Sequence, residues 1–142
     1  DSTLIRKEVF RKDLRDNYRE MGRFGIQKTD ARFYLPPYEW YNDTIASWSR
    51  NLGIQLVNFT PGTQSNQDWT YPELNDRYFS SSQLYSNILS YEEKKGLNGF
   101  NLLIHMGTDP RRKDKLYDRL DTLITELKQR GYRFTRIDQT AH

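Results

Sequence analysis

Phe100-Asn101-Leu102-Leu103-Ile104-His105 is the stretch that decides the fold. Four of the five residues before the histidine are apolar, as in a strand covered on both faces by helices in a parallel sheet. Upstream, Ser81 or Ser82 opens a helix carried by Leu84, Tyr85, Ile88 and Leu89. Downstream, Asp109-Pro110 marks a helix start, Leu116, Leu120, Leu123, Ile124 and Leu127 continue it to Gly131, and Tyr132 to Ile137 reads as a last strand. Toward the N-terminus, Ile54 to Phe59 is a second apolar strand. It follows a helix capped by Asn42 or Asp43, built on Ile45, Trp48 and Leu52 and closed by Gly53. Arg32 to Leu35 is a short strand cut off by Pro36-Pro37, which donate no ladder hydrogen bonds. Ser2 to Met21 repeats Ile5, Val9, Phe10, Leu14 and Tyr18 at helical spacing.

Strands alternating with helices predict an α/β fold, a single domain spanning residues 1–142 built as a partial, distorted (β/α) barrel. Its polar chemistry is expected where strands finish, in the segments Pro36 to Asn42, Thr60 to Trp69 and His105 to Arg112, converging on one face. A helix with no strand before it opens the chain, so the barrel is expected to stay open on one side, an edge that invites self-association. Thr60 to Arg77 is too long and too rich in Pro, Gly, Asn, Gln and Thr for a plain connector, and reads as a substrate-side loop.

Composition excludes several function classes. The 22 basic and 19 acidic residues of the 142 are interleaved, as in Arg11-Lys12-Asp13, and lack the one-signed stripe of a nucleic-acid footprint. No cysteine is present, so disulfide frameworks and thiolate metal sites are excluded. No apolar run approaches the roughly 20 residues of a membrane span. The start at Asp1 lacks an initiator Met and an apolar leader, so the true start is expected further upstream. There is no GxSxG elbow, no glycine-rich phosphate loop and no HExxH pair.

His105 is the sharpest chemical candidate, because it ends an apolar run and is the one histidine away from the terminal His142. Two readings stand beside each other: a proton-transfer group, or a structural histidine holding a neighbouring loop. With His105 and His142 alone, no histidine-based metal site is expected in this chain. Tyr38-Glu39-Trp40-Tyr41 and Trp69-Thr70-Tyr71 offer rigid aromatic faces suited to sugar rings, or to ordinary packing. Arg111-Arg112 is either a steering group for an acidic ligand or a solvated helix start.

The motif Arg32-Phe33-Tyr34-Leu35-Pro36-Pro37-Tyr38, with Leu102-Leu103-Ile104-His105 and the closing Gly131-Tyr132-Arg133-Phe134, resembles the third and fifth motifs of NodB-type polysaccharide deacetylases of carbohydrate esterase family 4. The resemblance makes the chain the C-terminal part of one such catalytic domain. It implies His105 as general acid, Leu103 in the acetyl pocket, and the Tyr38 backbone N–H in the oxyanion hole. Loss of such a donor typically costs about 2.7–4 kcal/mol of barrier. Asp68-Trp69 matches the fourth motif, whose aspartate tunes the histidine, and Pro37, Trp40, Trp69 and Arg111 then line the glycan groove. Leu35 stands where the family carries an arginine, for which Arg32, Arg111 or Arg112 is a candidate replacement, and Glu39 stands where it carries a glycine. The first two motifs, which supply the base and the metal ligands, are absent.

The resemblance thus implies a fragment of a longer, exported, extracytoplasmic enzyme that removes N-acetyl or O-acetyl groups from a polysaccharide or oligosaccharide. Its complete domain would use a divalent metal of the zinc or cobalt class, and this chain alone would be near background, because no ion acidifies water or polarises the carbonyl. The alternatives are a glycan-binding module without catalysis and a degenerate subunit completed by a partner.

Overall fold

The structure is a computed structural model and describes residues 3–139. The chain forms two compact units, Asp1–Asn58 and Phe59–His142.

In the first unit, helix α1 (Lys7–Gly22) buries Phe10 and Leu14 against Ile54. Strand β1 (Phe33–Tyr34) pairs in parallel with β2 (Gln55–Leu56), Phe33 opposite Gln55 and Tyr34 opposite Leu56. Between them lies α2 (Asp43–Asn51), whose cap is Asn42: its side-chain oxygen accepts the Ile45 N–H at 3.0 Å. Phe10 anchors an aromatic corner, edge-on to Tyr34 at 6.0 Å and tilted against Trp48 at 5.8 Å. The predicted helix beginning at Ser2 starts at Lys7 instead, and Ser2 lies outside the described residues.

In the second unit, α3 (Ser81–Lys95) packs Ile88 against Leu97 and against Leu123 and Leu127 of α4 (Leu120–Gln129). Ser80 caps α3 by accepting the Gln83 N–H. Asp109-Pro110 does not begin a helix. The Arg112 N–H closes a turn on the Asp109 carbonyl, and helical structure starts at Leu116–Arg119 before α4. No helix of the described residues is long and apolar enough to cross a membrane.

The expected (β/α) barrel is not formed. The sheet has two strands of two residues each, and no closed barrel exists among the described residues. The physical reason is that an apolar run reports burial, whereas a strand requires a neighbour that completes its ladder. Residues 100–104 meet the chain at Thr60, whose N–H donates to the Asn101 carbonyl and whose hydroxyl accepts the Asn101 N–H, and no ladder follows. In residues 132–137, Tyr132 is held by its backbone N–H on the Leu127 carbonyl and by its side chain. The Tyr132 hydroxyl accepts the Leu97 N–H at 2.9 Å and donates to Glu92 at 3.0 Å.

Candidate functional site

The loop from Thr60 to Arg77 is a polar scaffold hydrogen-bonded within itself. Thr63, Ser65, Asp68 and Thr70 are all buried, which requires their polar atoms to be satisfied from within. The Thr63 hydroxyl accepts the Ser65 N–H, a short 3-10 helix follows at Ser65–Gln67, and the Thr70 hydroxyl donates to the Gln67 carbonyl at 2.7 Å. Gly62 lets the loop lie on α3. At φ +130 it takes a backbone conformation L side chains rarely adopt, and a Cβ there would stand 2.4 Å from the Tyr91 ring.

This scaffold presents Asp68 to His105. The buried carboxylate of Asp68 lies 2.6 Å from His105 Nδ1 through one oxygen and accepts the His105 backbone N–H at 2.8 Å through the other. A carboxylate accepts only, so Nδ1 carries the proton and the ring is held in one tautomer. Nε2 makes no hydrogen bond to a described residue, and the imidazole is 32% exposed. The pair is therefore a histidine oriented at one nitrogen and available at the other. Leu103 is half-buried two residues before it, and Trp69, next to Asp68, is 44% exposed.

The His105 to Arg112 loop is tied to the same scaffold. Arg111 forks onto Asp109 through Nε and Nη2 and stacks its guanidinium 3.7 Å over the Tyr71 ring. That side-chain bond, with the Arg111 N–H, holds the Asp109 carboxyl well below the usual carboxylate range, and Asp109 in turn raises Arg111. The charge of Arg111 is thus already matched. Arg112 is fully buried rather than lying on a solvated helix start, and donates to the Thr70 and Phe79 carbonyls and the Ser81 hydroxyl. Asp114 completes the knot, accepting from the Tyr78 hydroxyl and the Ser81 N–H; burial first, and then this bond, push Tyr78 up. No local signal in the mixed-charge run Arg111-Arg112-Lys113-Asp114 distinguishes the residue that turns inward.

Pro37, Tyr38 and Trp40 belong to the first unit. Pro37–Glu39 forms a short 3-10 turn in which Tyr38 and Glu39 both take φ of +57, the left-handed region that favours glycine. Tyr38 and Trp40 are 81% and 76% exposed, with ring centroids 6.2 Å apart. Beside them is a cavity of about 310 Å³ between Pro37, Trp40, Tyr41 and Asn42, floored by Phe10 and Ile45. The structure thus pairs His105 with Asp68 in the second unit, which also carries Leu103, Trp69 and an Arg111 engaged with Asp109 and Tyr71, while Pro37, Tyr38 and Trp40 lie in the first. His142 lies outside the described residues.

Among the described residues no group of three or more His, Asp or Glu side chains is disposed to hold a metal ion. The divalent ion implied by the resemblance has no ligand set there. As a class, the second unit is a helical scaffold carrying a buried-aspartate, half-exposed-histidine pair. No family model, curated protein sequence or solved structure matches the chain.

Proposed function

We propose that the chain is the acid-bearing part of a metal-dependent deacetylase of an acetylated polysaccharide or oligosaccharide, and that it is inactive by itself. The observation that carries this reading is the Asp68–His105 pair. Asp68 fixes the ring at Nδ1, so Nε2 is the nitrogen that takes up a proton, to give an imidazolium facing the Asp68 carboxylate, and then delivers it to a leaving amine, a contribution of roughly 10²–10⁴ in rate for a well-placed general acid. Leu103 supplies apolar surface two residues from the acid, and Trp69 a flat face beside its partner. The left-handed backbone at Glu39, where the resembling family carries a glycine, further supports the reading. The base and the ligands of a zinc- or cobalt-class ion are assigned to a segment other than residues 3–139, and the enzyme is assigned outside the cytoplasm on the resemblance alone.

A second reading is favoured by a separate observation. The exposed Tyr38–Trp40 pair beside its cavity is suited to stacking on a sugar ring without catalysis. One experiment separates the two: acetate release from chitooligosaccharides and acetylated xylan, with Zn²⁺ or Co²⁺. It compares this chain, the product of the longer reading frame, and that product carrying His105→Ala. Release by the longer product alone, lost in His105→Ala, is expected. Release by this chain alone would overturn the assignment of its inactivity. Oligosaccharide binding without release by any of them, weakened by Trp40→Ala, would replace the deacetylase with a binding module.

A further inference from the structure

Burying a guanidinium is unfavourable unless its donors are matched, yet Arg112 is 0% exposed. Its donors go to three acceptors in one planar fork: Nη1 to the Thr70 carbonyl at 2.6 Å and the Phe79 carbonyl at 3.0 Å, and Nη2 to the Ser81 hydroxyl at 2.9 Å. Nε is buried and meets no acceptor among the described residues. Nη2 also faces the Asp114 carboxylate at 3.7 Å, beyond hydrogen-bond distance, so Arg112 acts through the three donors it does match. What they hold is the far end of the turn that carries Asp68. Thr70 closes that turn through its N–H and its hydroxyl, both on the Gln67 carbonyl, and accepts the Phe79 N–H on the same hydroxyl oxygen. Arg112 itself sits on the loop that follows His105, so one side chain spans the segments that carry the two members of the pair.

We infer that Arg112 is a positioning residue for the Asp68–His105 pair. It fixes the Thr70 and Phe79 carbonyls, and with them the turn from which Asp68 meets both the ring and the backbone N–H of His105. Lysine cannot replace it, because a point-like ammonium does not reproduce a planar fork serving two carbonyls and a hydroxyl. The consequence for proton transfer rests on the reading of His105 as the acid; the positioning itself does not.

The test is heteronuclear NMR of the 142-residue chain, following the His105 Nδ1 proton and both ring nitrogens, with α3 and α4 amide signals as the record of folding. The unaltered chain is expected to show one tautomer with a protected Nδ1 proton. Folded Arg112→Lys is expected to lose that protection and populate both tautomers, as Asp68→Asn does, with α3 and α4 signals in place. Ser81→Ala, which removes one arm's acceptor, is expected to weaken the signal in part. A folded Arg112→Lys with an unchanged Nδ1 signal makes the arginine merely structural and overturns the inference. So does an unaltered chain without that signal. Should Arg112→Lys fail to fold, an unchanged ring in Ser81→Ala overturns it instead. Failure of the deacetylase reading would show in acetate release and leave these ring signals as they are, so the two outcomes are distinguishable.

Discussion

Asp68 and His105 act as one unit, because both carboxylate oxygens are engaged by the same residue. Asp68→Asn keeps the volume but replaces an acceptor with an amide that cannot satisfy both His105 donors from a charged group. A loss of about 1–3 kcal/mol in urea-denaturation stability is expected. His105 is legible in the sequence because it ends an apolar run, and Asp68 enters through a resemblance. Arg112 was not legible, since it and Arg111 are adjacent and identical in type, yet one is buried and the other exposed. A second expectation concerns Glu39, held at φ +57. The left-handed region costs a side-chain-bearing residue about 1–2 kcal/mol, partly offset by the greater unfolded-state entropy of glycine. Glu39→Gly is therefore expected to stabilise the protein by up to about 1 kcal/mol in the same measurement.

Helices were legible because their determinants are local. Apolar spacing placed α1, α2 and α3 to within a few residues, and the Asn42 cap was readable from its position before the apolar repeat. Asn42→Ala is expected to cost about 1 kcal/mol, read as a lowered thermal midpoint, because the Ile45 N–H loses its acceptor. Gly62→Ala tests the seat of the long loop on α3. The added methyl meets Tyr91, and the loss is expected at about 1–3 kcal/mol, with the near-ultraviolet tyrosine signal altered. Two of the four predicted strands, residues 100–104 and 132–137, are absent as strands, because nothing local to an apolar run specifies a ladder partner.

At the scale of the whole molecule, titration sets the limits of stability. The hydrogen bond from Lys12 lowers Asp16, that from Arg111 lowers Asp109, and those from Tyr85 and then Arg130 lower Glu126. A lowered carboxyl contributes stability that is present above the ordinary carboxylate range, about 4, and lost as pH falls through the folded value. Burial raises Tyr18 and Tyr34, and burial followed by the bond to Glu126 raises Tyr85. Their contribution is present below the ordinary tyrosine value of about 10 and lost as pH rises through the folded values. Denaturation midpoints are expected to be level between these ranges and to fall on both sides, with Glu126→Gln flattening the acid limb. By itself, the sequence determined where α1, α2 and α3 lie, the proline stop before Tyr38 and the polar loop from Thr60 to Arg77, because caps, apolar spacing and turn residues act over a few positions. Only the tertiary structure decided that no barrel forms, that Asp68 meets His105 across 37 positions, and that Arg112 turns inward to reach Thr70 across 42. Those outcomes depend on which distant groups satisfy each buried donor and acceptor, and no local pattern encodes that choice.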